Sequence, residues 1–187
     1  MGFLDILLGR SKPAGPDLDQ LFALPSAAVT LQAATRFRPT GTGSVAFKAA
    51  EGAAFSGLTE HVEALLALDE GRFAISRDTF GYTWLTRTGD AADLEGLVTD
   101  LHAVNTSLVE AGYGTTLLCT LVVFGDGPQR LGLIYLYKRG TWYPFAPTAQ
   151  ERRDTALELQ VRAVIADDLR IEPDLGRWFP VHGAPGL

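Results

Sequence analysis

The sequence predicts an α+β fold, an antiparallel sheet with helices packed on it, and three observations carry that expectation. Strand-like stretches are grouped together: "TTLLCTLVVFG" (115–125), "RLGLIYLYKRG" (130–140) and "TWYPFAP" (141–147) follow one another, set apart by the turn signals "DGPQ" and "RG". Leu94, Leu97, Leu101, Val104 and Leu108 step by 3, 4, 3 and 4, which aligns them along one face of a helix. Hairpin-linked strands lie between helices with no regular strand-helix-strand alternation, an order that suits an antiparallel sheet and not a doubly wound parallel one.

The remaining elements follow in chain order. "MGFLDILLGRSKPAGP" (1–16) reads as an apolar arm and a Pro/Gly linker ahead of a single α+β domain spanning 17–187. "PDLDQLFALP" (16–25) predicts a short helix ended by Pro25, and "AAVTLQAATRF" (27–37) and "GSVAFKAA" (43–50) predict two strands around the turn "RPTGTG". Leu58, Val62, Leu65 and Leu66 give a helix over 54–69, with Gly71 available to end it. "RFAISR" and "FGYTWLTR" form a hairpin through Asp78 and Thr79, and Asp90 is expected to cap the 94–108 helix that Gly112 and Gly114 close. A last helix is expected over 149–169, with Leu157, Val161, Val164, Ile165 and Leu169 inward and Thr148 and Glu151 as its capping box.

At 187 residues the chain buries roughly two thirds of its unfolded surface, enough for a sizeable core. Hydrophobic residues at 47% and charged residues at 20% exclude wholesale disorder. A net charge of -6 with 16 scattered Lys and Arg argues against a nucleic-acid partner, which needs a concentrated basic surface. No run of about 18 apolar residues is present to span a bilayer, and the N-terminus lacks a secretory signal, so the expected compartment is the cytoplasm.

Few stretches carry chemistry. The single cysteine, Cys119, sits in an apolar strand, where a thiol packs as a small hydrophobe. "GTGSVA" (41–46) matches the dinucleotide-loop pattern, but its neighbours alternate like a strand and no helix starts inside it, so no cofactor is expected. His61, His102 and His182 have no metal-ligand spacing, so neither a metal site nor a catalytic residue is assigned. Asp154 and Glu158, four apart, share a helix face as an acid/base or metal pair would, yet Arg152, Arg153 and Arg162 surround them and Glu158 to Arg162 has the spacing of a surface ion pair. Trp142 and Tyr143 with Asp154 and Glu158 make up the candidate groove of an enzyme or small-ligand reading, against which stands the ordinary use of such rings to fill sheet-helix space. Phe3, Leu4, Ile6, Leu7 and Leu8 cannot bury themselves in so short a helix, so they are candidate contacts to a partner, a membrane or the domain itself. With only Arg10 and Lys12 as basic support, their membrane binding alone is weak.

Several of these stretches together resemble a known family. "MGFLDILLGRSKP", "PDLDQLFALPSAAVTLQAATRFRPTG", "EGAAF", "LYKRGTWYPFAP", "ERRDTALELQVRAVIADDL" and "RWFPV" are similar to the PspAB family of phage-shock-protein A associated proteins. The resemblance implies a non-catalytic, cytoplasmic accessory protein of the envelope-stress system. Its implied partner is phage shock protein A, a coat protein working at the inner face of the cell membrane. No cofactor and no catalytic residue come with it, and a homodimer is equally compatible with the sequence. More loosely, the domain resembles the YbjN and type III secretion chaperone-like proteins, which are α+β binding modules.

Overall fold

The computed structural model describes residues 16–48, 73–149 and 151–187. The apolar arm, the predicted 54–69 helix and His61 lie outside the described residues.

The architecture is α+β. A six-stranded sheet runs in the order β2-β3-β1-β4-β5-β6, formed by β1 (Arg38–Phe47), β2 (Phe73–Arg77), β3 (Thr83–Thr88), β4 (Leu117–Asp126), β5 (Gln129–Leu136) and β6 (Thr141–Phe145). Every neighbouring pair is antiparallel. The two-residue strands β7 (Pro147–Thr148) and β8 (Arg152–Arg153) form a separate small ladder.

Side chains alternate between the two faces, as the pleat requires. Val45, Phe47, Leu85, Val122, Phe124, Leu133, Tyr135 and Trp142 point into a core shared with α1 (Leu24–Ala34), α2 (Leu94–Glu110) and α3 (Thr155–Ile165). Ala46, Trp84, Cys119, Leu121, Val123, Ile134, Tyr143 and Phe145 point the other way, into a second cluster that includes Trp178 and Ala184 of the C-terminal segment.

The leucine stripe forms α2 as expected, buried from Leu94 to Leu108. Its cap is Asp93, which accepts the Gly96 N–H at 2.9 Å, and not Asp90, whose Oδ1 takes the Ala92 N–H in the preceding turn. The helix closes as the Gly112 spacing implies: Gly112 has φ +87° and the Tyr113 N–H reaches back to the Leu108 carbonyl at 2.8 Å.

Several local readings are corrected. Residues 27–37 are not a strand. Leu24, Ala27, Ala28 and Leu31 are buried at spacings of 3, 4 and 7, a helix face, and the β-branched Val29 and Thr30 sit on the outside. Pro25 opens α1, where its missing N–H costs nothing, so the short 3₁₀ turn Leu18–Ala23 runs directly into the helix. "RPTGTG" is accordingly the first half of β1, bulged between Pro39 and Gly43. Gly41 makes the bulge feasible: its φ is +76° and a Cβ there would stand 2.2 Å from the Gly89 carbonyl oxygen.

The capping box at Thr148 and Glu151 does not form either. Thr148 pairs with Arg152 in the β7–β8 ladder, and Glu151 has φ +53° in the turn between them. Asp154 caps α3 instead, accepting the Leu157 N–H at 2.9 Å. The final helix therefore spans Thr155–Ile165 and not 149–169.

Candidate functional site

The sequence draws attention to the region around Trp142, and there the chain builds a lock. The Trp142 N–H donates to the Arg170 carbonyl and the Trp142 carbonyl accepts the Glu172 N–H, both at 2.8 Å, so residues 170–172 lie parallel against the outer side of β6. The following segment crosses the sheet face. Trp178 donates its indole N–H to the Glu172 carbonyl at 3.0 Å, stacks on Tyr143 at 6.0 Å between ring centroids, and the Tyr143 hydroxyl donates to the Phe179 carbonyl at 2.9 Å.

Two buried carboxylates fasten this arrangement. Glu172, whose side chain is 0% exposed, accepts the Thr141 hydroxyl at 2.8 Å, Arg139 Nε at 3.0 Å and the Asp174 N–H at 3.2 Å. Burial pushes its pKa up, but the hydrogen bonds from Arg139, Thr141 and the Asp174 backbone, with the Arg139 charge, outweigh it and hold the carboxyl below its ordinary value. Glu158 is equally buried. It accepts the Ala146 N–H at 2.9 Å and Arg153 Nε at 2.8 Å, with Arg153 Nη2 also 2.7 Å away. Arg153 completes the tie by donating Nη1 to the Trp178 carbonyl at 2.7 Å and lying 5.4 Å from the Phe145 ring centroid.

These contacts decide the fate of the predicted groove. Trp142 and Tyr143 expose 0% and 1% of their surface, so neither ring lines a groove. Asp154 is spent as a helix cap. Glu158 does not pair with Arg162 on the surface: it is turned inward onto Arg153, because the β8 turn delivers that guanidinium to the buried end of α3. Phe3, Leu4, Ile6, Leu7 and Leu8 lie outside the described residues. Trp84 is buried with its indole N–H on Asp78 Oδ2 at 2.9 Å.

Sequence reasoning missed the cluster of Glu172 with Thr141 and Arg139, which lie 31 and 33 residues before it and share no motif with it. The other singled-out groups are placed simply. Burial raises the Cys119 thiol to about 12. His102 packs on Phe22 at 4.6 Å with Nε2 3.6 Å from Asp19 Oδ1, and His182 meets Phe145 edge-on at 5.0 Å. "GTGSVA" lies within β1, with no helix beginning in it. Among the described residues no group of three or more His, Cys, Asp or Glu is arranged to hold a metal, and no helix is long and apolar enough to cross a membrane.

The described surface also holds two concavities. One, of about 530 Å³, opens beside the β4–β5 turn and is walled by Arg130, Pro147, Thr148, Glu151 and His182. The other, of about 300 Å³, runs between α1 and the start of α2, with Pro25, Ala28, Val29 and Gln32 on one wall and Ala91 and Ala92 on the other. Asp93, Leu94 and Glu95 continue the second wall, and Pro39 closes one end.

With the geometry in view, comparison with known proteins supplies the lineage. The chain matches the family described as PspAB, PspA associated protein B, over residues 1–186. It belongs to that family. No curated protein and no solved structure matches the chain. The PspAB match extends through the Trp142 region and the C-terminal segment, so the lock built there falls within the family's span.

Proposed function

We propose that this protein is a non-catalytic accessory protein that associates with PspA, the phage shock protein A coat protein, as a protein-interaction module of the envelope-stress response. The observation that carries the reading is the PspAB match through residues 1–186, whose description names PspA as the associate. The site geometry agrees with it. The two carboxylates that suggested acid/base chemistry, Asp154 and Glu158, are a helix cap and an arginine-locked structural group, so their charge is consumed in holding the fold. On this reading the protein works on the cytoplasmic side of the membrane and meets lipid through PspA.

The test is co-purification of the tagged full-length protein with PspA at physiological salt. A retained 1:1 or fixed-ratio complex is expected. Absence of PspA from the eluate, with the tagged protein folded by circular dichroism, overturns the proposal, and a self-associated species in its place points to a homodimer.

A further inference from the structure

We infer that the exposed edge strand β2 is a self-association site, at which two copies of the chain join β2 to β2 antiparallel about a two-fold axis at Ile75. The inference goes beyond the PspA reading and does not depend on it. The two ends of the six-stranded sheet are finished differently. At one end the β6 backbone is bridged to residues 170–172, with the Trp142 N–H on the Arg170 carbonyl and the Glu172 N–H on the Trp142 carbonyl. At the other end β2 pairs with β3 alone among the described residues. Ala74, Ile75, Ser76 and Arg77 are all exposed, and Ile75 keeps 43% of its surface in water. The usual guards against edge pairing are missing from this strand. "FAISR" has no proline, its register with β3 runs from Phe73 to Arg77 without a bulge, and its single charge stands at the last position.

The hairpin fixes which backbone groups face outward. The Asp78 N–H donates to the Tyr82 carbonyl at 3.0 Å and the Gly81 N–H to the Asp78 carbonyl at 3.2 Å, with Gly81 at φ +81°, so Asp78 and Tyr82 close the ladder as a hydrogen-bonded pair. Bonded pairs recur at every second residue of an antiparallel ladder, which gives the backbone groups of Ser76 to Trp84 and those of Ala74 to Thr86. The N–H and C=O groups of Phe73, Ile75 and Arg77 therefore point away from β3. That array is its own complement. Turned about Ile75, it sets Ile75 against the second copy's Ile75, and Phe73 and Arg77 against the second copy's Arg77 and Phe73, so every outward N–H meets a carbonyl. The side chains agree with this register. Ile75 shares the helix side of the sheet with its neighbour Leu85, so the two isoleucines meet as an aliphatic cross-strand pair at the margin of the core. Ala74 and Ser76, small and exposed, meet on the opposite face. Like charges stay apart, because the two Arg77 residues stand at opposite ends of the ladder, about 13 Å apart along the strands and past the Debye length of roughly 8 Å at physiological salt.

The experiment is sedimentation equilibrium of the full-length protein alone, with melting temperatures as the folding check on each variant. So short a ladder belongs at the small end of specific interfaces, and a monomer–dimer equilibrium within about 1 to 500 µM is expected. Ile75→Lys and Ile75→Glu each place like charges opposite one another at the axis and should each weaken the dimer at least about tenfold, and an equimolar mixture of the two should restore it. Ile75→Pro removes an outward N–H and none that bonds β3, so it should abolish the dimer with little change in melting temperature. Phe179→Ser, on an exposed residue of the C-terminal segment, should match wild type. Hydrogen exchange on the wild type covers the case in which a variant fails to fold. The Phe73, Ile75 and Arg77 amides should gain protection as concentration rises, while those of Ala74 and Ser76 stay protected throughout. A monomer at every concentration overturns the inference, and so does a dimer that Ile75→Lys leaves intact or that the mixture fails to restore. Outward amides already protected in the monomer overturn it too, since the edge is then covered within the chain. None of these outcomes decides PspA binding, so the two readings fail separately.

Discussion

The C-terminal lock and the α1–α2 groove are built from opposite materials. The lock gathers aromatics, arginines and carboxylates, the residue types that active sites use, and pairs its carboxylates internally: Glu158 and Glu172 face Arg153 and Arg139, and the Trp142 backbone is bridged to residues 170–172, while its buried indole N–H has no hydrogen-bond partner. The groove is lined by proline, alanine, valine and glutamine together with Asp93, Leu94 and Glu95, and both polar and apolar surface face solvent there. A charged or aromatic residue signals function only while its interactions remain uncommitted. At the lock most of them are consumed in stability; at the groove Asp93 and Glu95 stay exposed.

That contrast can be broken by mutation, and the largest effects belong to the lock. Trp142→Ala should lower unfolding free energy by about 3 to 5 kcal/mol, the usual cost of deleting a fully buried large ring, read by urea titration. Glu172→Ala strands Arg139 and leaves the Thr141 hydroxyl without its acceptor, and a loss of about 3 kcal/mol is expected, the lower end for a broken buried pair because Arg139 is 29% exposed. If either variant instead retains full stability while losing PspA binding, the lock is a binding site and the contrast collapses.

Titration sharpens the same point. The Glu172 pKa is lowered from 4.5 in the folded state, so the folded protein binds this proton less readily than the unfolded chain. Its contribution is therefore fully present above pH 4.5 and is lost as pH falls through the lowered folded value. Glu172→Gln should flatten the acid limb of the stability profile; an unchanged limb would mean that other carboxylates carry it.

Cys119 shifts in the opposite direction. With its pKa raised to about 12, the folded thiol is retained where the unfolded one, near 9.0, ionises, so stability from this group holds below pH 9.0 and declines toward pH 12. The buried thiol stays protonated well above neutral pH, and a thiol reagent, which attacks through the thiolate, should label the native protein only at its rate of opening. Rapid labelling would show the second cluster to be open. The smallest effect is expected at the groove, where Val29 is 67% exposed and Val29→Glu should change stability by no more than about 0.5 kcal/mol, read by urea titration.

Much of the fold was legible. The leucine stripe of α2 and the strands β4 to β6 follow from spacing and composition, because local periodicity records which face is buried. The errors have equally local causes. In 27–37 the β-branched Val29 and Thr30 outweighed the Leu24, Ala27, Ala28, Leu31 face, since alanine reads as neutral until something packs on it. Thr148 and Glu151 have capping-box spacing, but the β7–β8 pairing claims that stretch before the helix begins, and Asp154 is the next residue able to cap. Glu158 with Arg162 fits the helix-surface rule, yet the rule knows nothing of a guanidinium arriving from the preceding turn.

The sequence by itself determined the family, the α+β class and the pattern of burial along each long element, because these depend on residue identity and on separations of a few positions. Only the tertiary structure decided which charges are spent and which are free. Glu172 meets Thr141 and Arg139 across more than thirty residues, and the groove sets residues 91–95 alongside Pro25, Ala28, Val29 and Gln32 of α1. Such encounters are set by chain topology and packing, which no short-range pattern encodes.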